Sequence, residues 1–319
     1  MIKTKILITG AGGFVGRVFY SQLPSDQFVL PESTRTRGLS AAYAPRVVDI
    51  TQAEAVAAQV AEFKPDVVLH LAAQSHVPTS FSDPLKTWQT NVIGTVNYLT
   101  ALQKYAPEAF FLFVSSSEVY GEAFKAGTAV TEESICLPMN PYAASKRAAE
   151  IACQQFFAQG VRGVIARPFN HIGPGQTSGF VSAAFAEQIA KIEQGLQPAL
   201  IQVGNLTASR DFLDVRDVCA AYLAIIQAAL AGRELAPIIN IASGRAVPIE
   251  QLLKILLSHT DASIEVDLDP QRLRPSDIPS ASGDARILLE QTGWHPSFTL
   301  DETLLAVLND WRQRVRGLA

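Results

Sequence analysis

A short apolar run, Lys5-Ile6-Leu7-Ile8-Thr9, leads straight into Gly10-Ala11-Gly12-Gly13-Phe14-Val15-Gly16, and a helical pattern then continues through Leu23. No other stretch limits the fold so tightly. Aliphatic and β-branched residues bounded by glycine read as a buried parallel strand. Gly10, Gly13 and Gly16, each three apart, permit a tight turn, close approach of backbone to a pyrophosphate, and close packing of helix on strand. The N-terminus of the adjoining helix then offers its free N–H groups to phosphate. The spacing is Gly-x-x-Gly-x-x-Gly, not the commoner Gly-x-Gly-x-x-Gly. Glycines alone could mark a turn of no chemical consequence, but strand–turn–helix is the context a dinucleotide site requires. Gly10, Gly13, Phe14, Val15 and Gly16 are accordingly assigned to a cofactor.

Strand-like and helix-like segments alternate beyond this turn. Phe28-Val29-Leu30, Arg46-Val47-Val48-Asp49-Ile50, the run from Val67 to Ala73, and Phe110-Phe111-Leu112-Phe113-Val114 read as strands. Helices are expected from near Thr51, over Leu85 to Tyr105, and from Pro141 to Gly160. The pattern predicts an α/β fold with a doubly wound parallel sheet, Rossmann-like. After Arg167, prolines and glycines punctuate the chain up to Gly204, around an amphipathic helix from Val181 to Gln194. This suggests a smaller substrate-binding part. Val215 to Leu230 and Ile238 to Ala242 return to helix and strand, extending the first sheet, so the second α/β domain is discontinuous. The expected division is 1–168 with about 212–244 for the cofactor, and about 169–211 with 245–319 for substrate, the last stretch holding helices Ile249–Ser258 and Thr299–Arg314.

Charge excludes several classes of partner. The net charge of the 319-residue chain is only −4 and no run of like charges occurs, which argues against nucleic acid or a charged membrane surface. The apolar run from Cys219 to Ala231 is too short to span a bilayer. No signal-peptide pattern opens the chain. Three cysteines without metal-like spacing point to a reducing, cytoplasmic setting. His70 and His76 lack a third ligand at recognisable spacing, so no metal is expected.

The candidate site residues fall at strand ends. Where an NAD-selective site has an acidic residue, this chain reads Pro31-Glu32-Ser33-Thr34-Arg35, with Arg37 beyond. A guanidinium fits a 2′-phosphate, so Arg35 favours NADP(H), while Glu32 keeps NAD(H) open. Asp49, next to Ile50, either accepts from an adenine amine or caps the next helix. Small side chains in Leu71-Ala72-Ala73 let backbone run beside the cofactor. Asn91, within an apolar helix face, reads as a structural tie. Ser115-Ser116-Ser117-Glu118 lies where doubly wound sheets bind ligands. Among seven tyrosines only Tyr142 has a lysine four residues on, Lys146, on the same helical face. An ammonium beside a phenol lowers its pKa, making Tyr142 a proton donor or acceptor near neutrality.

The glycine turn, Leu71-Ala72-Ala73, Ser116 and Tyr142-x-x-x-Lys146 together resemble the extended short-chain dehydrogenase/reductase superfamily over nearly the whole chain. The segments 167–176 (Arg-Pro-Phe-Asn-His-Ile-Gly-Pro-Gly-Gln), 203–206, 210–217 and 273–276 resemble its sugar-nucleotide branch. Within that branch they look most like the reductases that convert GDP-4-keto-6-deoxy-D-mannose to GDP-D-rhamnose. The resemblance implies an NAD(P)-dependent oxidoreductase with Ser116, Tyr142 and Lys146 as catalytic residues. It implies that Ser117, Glu118, Asn170, Arg210 and Arg274 bind a GDP-linked sugar, the arginines gripping the diphosphate. An Arg210 ion pair with Asp211 or Asp214 is the plainer alternative. Homodimers formed through the helices at Leu85–Tyr105 and Pro141–Gly160 are also implied. Three other readings stand: a GDP-mannose 4,6-dehydratase or epimerase, for which Glu118 speaks; a non-catalytic NADP(H)-sensing protein; and a small-molecule ketone reductase outside sugar metabolism, against which the long second part and its arginines speak.

Overall fold

A computed structural model describes residues 3–30, 48–272 and 278–317. The chain opens with β1 (Thr4–Thr9), α1 (Phe14–Gln22), β2 (Phe28–Val29), α2 (Ala53–Phe63) and β3 (Val67–His70). Two short helices, α3 (Val77–Ser82) and α4 (Pro84–Trp88), precede α5 (Gly94–Tyr105), β4 (Phe110–Val114), α6 (Pro141–Ala158) and β5 (Arg162–Pro168). Next come β6 (Asn170–Ile172), α7 (Val181–Glu193), β7 (Leu200–Val203), β8 (Ser209–Asp214), α8 (Val215–Leu230) and β9 (Ile238–Ile241). The chain closes with β10 (Ala246–Pro248), α9 (Ile249–Ser258), β11 (Glu265–Leu268), β12 (Ser280–Ala281), α10 (Arg286–Thr292) and α11 (Leu300–Arg316).

The main sheet is six parallel strands in the order β2-β1-β3-β4-β5-β9. Its layering arises from the period-two alternation of side chains. Ile6, Ile8, Val67, Leu69, Phe110 and Leu112 face a core closed by α1 and α8. Leu7, Val68, Phe111 and Phe113 face the opposite core, under α2, α5 and α6. Both faces are covered, which is why these strands are apolar throughout. The doubly wound sheet is therefore as expected, with α8 and β9 returning to it.

Three local expectations are corrected. Of the strand expected at 46–50, only Val48, Asp49 and Ile50 are described, and these three are not in a strand. The next helix starts at Ala53 with Gln52 as its N-cap, near Thr51 as expected, behind an Asp49 turn. Leu30 lies outside β2. The single helix expected over Leu85–Tyr105 is broken into α4, a π-helical turn (Gln89–Ile93) and α5. That widened turn holds Asn91, which bonds through its side chain to Gln74 and Ser145.

A second sheet joins β10, β8 and β12, with β6 also on β8, while β7 pairs with β11. The aliphatic faces of α7, α9 and α11 form a separate core with Ile201, Val203 and Phe212. At the start of α11, Thr299 accepts from the Glu302 N–H while the Glu302 carboxylate accepts from the Thr299 N–H. We propose that these two core systems correspond to the cofactor and substrate parts expected from sequence, the changeover near residue 212 falling inside β8.

Candidate active site

The carboxyl ends of β1, β3 and β4 open into a cavity of about 740 Å³. The glycine turn forms one wall. Gly10 has φ +70, and a Cβ on it would come within 2.9 Å of the Ala72 nitrogen. A Cβ on Gly16 would stand 2.5 Å from the Gly10 carbonyl oxygen, so α1 packs on the turn as only glycine allows. The N-cap of α1, Gly13, offers no side-chain bond to the helix, and its first turn carries no acidic residue. Those free N–H groups fit a pyrophosphate. Ile50, Leu71, Ala72 and Ala73 line the same cavity, as does Asp49. Asp49 accepts from the N–H and hydroxyl of Thr51 at 3.0 and 2.8 Å, and these bonds hold its carboxyl below the ordinary range. Volume, glycine cradle and uncapped helix thus suit a dinucleotide. Arg35, with Glu32 and Arg37, lies outside the described residues.

The opposite wall is the start of α6. Asn140 caps it, accepting from the Ala143 N–H at 2.8 Å, and Pro141 sits in the first turn where no N–H is missed. Tyr142 is buried, with Ser116 on the same cavity wall and near enough to act on its hydroxyl. Its pKa runs opposite to expectation. Burial pushes the phenol up to about 12; the nearby Ser116 hydroxyl opposes this and the Glu118 charge adds to it. Lys146 does lie on the same face, but its ammonium donates to the Val114 carbonyl at 2.7 Å and sits 4.9 Å from the centre of the Phe113 ring. Sharing a helix face did not make the two side chains a charge pair. Burial also brings the Lys146 ammonium down to about 8, opposed by Cys153 and Glu150. Cys153 is itself pushed well up by burial and stays neutral there, so Glu150 supplies the opposing charge.

Ser116, Ser117, Glu118 and Asn170 line this cavity together with Tyr142 and Lys146. Ser116 accepts from the Glu118 N–H at 3.2 Å, capping the short turn that ends β4. Glu118 in turn accepts from the Asn140 side chain at 3.1 Å, which ties the turn to the start of α6. Arg210 stands apart from the cavity lining: it donates to the carbonyls of Ser209 and Ile278, near enough to Glu118 to feel its charge. The acids proposed as its partners are engaged elsewhere. Asp211 accepts from Ser243, Gly244 and Gly283, and Asp214 pairs with Arg216 at 2.7 Å. Arg274 lies outside the described residues.

Several supports were not visible in the sequence as site features. Asn140 is one, although Asn before Pro at a helix start is a legible capping signal. Asn91 accepts from the Gln74 N–H at 2.8 Å and donates to Ser145 at 2.9 Å, joining the loop after β3 to α6 between Tyr142 and Lys146. The structural tie expected of it is what the structure shows. His70 is buried between the hydroxyls of Thr9 and Thr95, at 3.0 and 3.1 Å. Phe14 of the glycine turn stacks on His171, with centroids 6.3 Å apart.

This arrangement finds its counterpart in known proteins. The GDP-mannose 4,6 dehydratase family model matches residues 7–306. The chain belongs to this family. This member of the GDP-mannose 4,6 dehydratase family is 39% identical over 316 residues to a GDP-6-deoxy-D-mannose reductase of Pseudomonas aeruginosa, spanning 98% of each chain. The solved structure of RMD from Pseudomonas aeruginosa complexed with NADPH matches this family member with a TM-score of 0.86 and 36% identity, covering 98% of this chain and 100% of that one. A GDP-6-deoxy-D-talose 4-dehydrogenase of Aggregatibacter actinomycetemcomitans is 27% identical over 303 residues, 94% of this chain and 95% of the relative. The family member thus lies in the sugar-nucleotide branch of the extended short-chain dehydrogenase/reductases.

Proposed function

We propose that the protein reduces the 4-keto group of GDP-4-keto-6-deoxy-D-mannose with NADPH, giving GDP-D-rhamnose; NADH is the alternative hydride donor. The observation that carries this is that the glycine cradle and the Ser116–Tyr142–Lys146 group are walls of one cavity. The named reductase relative supplies the substrate class. NADPH, when bound, supplies the hydride that reaches the sugar C4. It would rest on the turn at residues 10–16, with Asp49, Ile50 and Leu71–Ala73 along its length and Arg35 beside a 2′-phosphate.

Tyr142 carries the proton destined for the C4 oxygen. Since burial raises its pKa, the phenol stays protonated at neutral pH, which is the state a donor needs. Ser116 stands on the same cavity wall as that phenol and holds the same substrate oxygen. Lys146 keeps a positive charge against the Val114 carbonyl, lowering the cost of the negative charge that develops on the oxygen. Ser117, Glu118 and Asn170 border the sugar, and Arg210 and Arg274 grip the diphosphate. Asn140 keeps Glu118 turned to the helix cap. A dehydratase reading draws on Glu118 at the cavity wall and would consume no NADPH.

We place the protein in the cytoplasm, consistent with Cys136, Cys153 and Cys219 all being free. Among the described residues no helix is long and apolar enough to cross a membrane. We further propose a homodimer. Phe81, Leu85, Trp88, Ile93 and Ile151 are exposed on adjoining α3, α4, the π turn and α6, an apolar face that a second copy would cover. The deciding assay mixes purified protein, NADPH and GDP-4-keto-6-deoxy-D-mannose and identifies the product by NMR. Stoichiometric NADPH loss with GDP-D-rhamnose formed is expected. Dehydration of GDP-mannose without NADPH loss would replace the reading.

A further inference from the structure

Arg167 is among the largest fully buried side chains, at 1% exposure, and no step of the proposed reduction gives it a task. Its guanidinium forks onto Glu150, with Nε to Oε1 at 2.9 Å and Nη2 to Oε2 at 2.8 Å. Glu150 is wholly buried on α6, one turn beyond Lys146 and two beyond Tyr142. The Arg167 guanidinium carbon also lies 4.8 Å from the centre of the Tyr120 ring. Tyr120 ends the turn Ser117–Tyr120 that Ser116 caps. The Tyr120 hydroxyl donates to Asn240 at 2.7 Å, and Asn240 is the register partner of Arg167 on β9. One side chain fixed in the sheet therefore grips both segments that bring catalytic groups into the cavity.

We propose that Arg167 is a positioning residue for the reaction, clamping the helix of Tyr142 and Lys146 to the turn of Ser116 and so setting the separation of the Ser116 and Tyr142 hydroxyls. Stability does not account for it. A buried ion pair is often matched or bettered by apolar residues of similar volume, because both charges lose their hydration. Geometry does account for it. A carboxylate held in two-point fashion and an aromatic ring under the same plane require a flat, forked cation, which lysine cannot supply. Arg147 also donates to Glu150, at 2.9 Å, so the carboxylate keeps a partner when Arg167 is replaced.

The inference rests on the reductase reading for its kinetic test. Arg167→Lys and Tyr120→Leu should each lower kcat by about 10- to 100-fold, the scale of a displacement near 1 Å in a reacting group, while KM and the NADPH Kd stay within about twofold. Tyr120→Phe keeps the ring beneath the guanidinium and should recover most of what Tyr120→Leu loses. Unchanged kcat in a folded Arg167→Lys protein overturns the proposal. So does a parallel loss of kcat, KM and NADPH affinity, which is the mark of general damage. If Arg167→Lys does not fold, the two Tyr120 variants decide. Failure of the wild-type protein to turn over would instead defeat the reductase reading. In that event crystal structures of the same variants decide: the Ser116–Tyr142 hydroxyl separation departs from its wild-type value by about 1 Å if the clamp is real, and stays put if it is not.

Discussion

The two walls of the cavity work in opposite ways. The glycine turn acts through side chains that are not there: at Gly10 and Gly16 the space a Cβ would need is filled by neighbouring backbone. The start of α6 acts through side chains that must be present, buried and held: Tyr142 against Ser116, Lys146 against the Val114 carbonyl, Asn140 against both the helix and Glu118. One wall is shaped by exclusion and depends on close backbone packing. The other is shaped by desolvated polar groups, whose energies depend on every partner nearby. Damage to the first should therefore appear as lost cofactor affinity. Damage to the second should appear as lost turnover.

The sharpest test is Tyr142→Phe, expected to cut kcat by about 10² to 10⁴ while the NADPH Kd barely moves. A comparable loss of affinity measured by fluorescence titration would erase the division between the walls. Gly16→Ala is the mirror image. Its added methyl meets the Gly10 carbonyl at 2.5 Å, so the turn must shift. NADPH binding should weaken by about 100-fold, equivalent to about 3 kcal/mol. The residual kcat at saturating NADPH should fall much less.

A third expectation concerns pH. Burial sets the Lys146 ammonium at about 8, so its charge is complete below that pH and lost above it. kcat should be level on the acid side and decline by up to about tenfold per pH unit beyond 8, with no matching change in NADPH Kd at the glycine wall. A flat profile to pH 10 would remove the lysine charge from the proposed chemistry. The mildest change is Asn140→Ala, which deletes the α6 cap and should lower stability by about 1 kcal/mol in denaturant titration. It also frees Glu118, so a small gain or loss in turnover would show whether that carboxylate matters to the reductase.

Strand–turn–helix at residues 5–23 was legible because glycine spacing and an apolar run are local properties. So were the later strands whose residues are buried on both faces, and the cap and first turn of α6. In the described end of the segment expected as a strand at 46–50, the chain at Asp49 and Thr51 instead forms a turn fixed by their side chains, which strand-like composition does not announce. Asn91 shows the same limit in a helix: periodicity runs through it, while its bonds to Gln74 and Ser145 come with a π turn that no spacing announces.

By itself the sequence determined that a dinucleotide-type turn opens a parallel α/β sheet and that a tyrosine and lysine share one helix face, because these depend on residues a few positions apart. Only the tertiary structure decided what state those two groups are in. The Tyr142 phenol is raised rather than lowered, and the Lys146 charge is given to a strand carbonyl. Protonation is a comparison of hydrated and buried forms, and burial is created by segments far away in the chain. The same holds for Arg167, which looks like any arginine until β5, α6 and the Ser117–Tyr120 turn close around it.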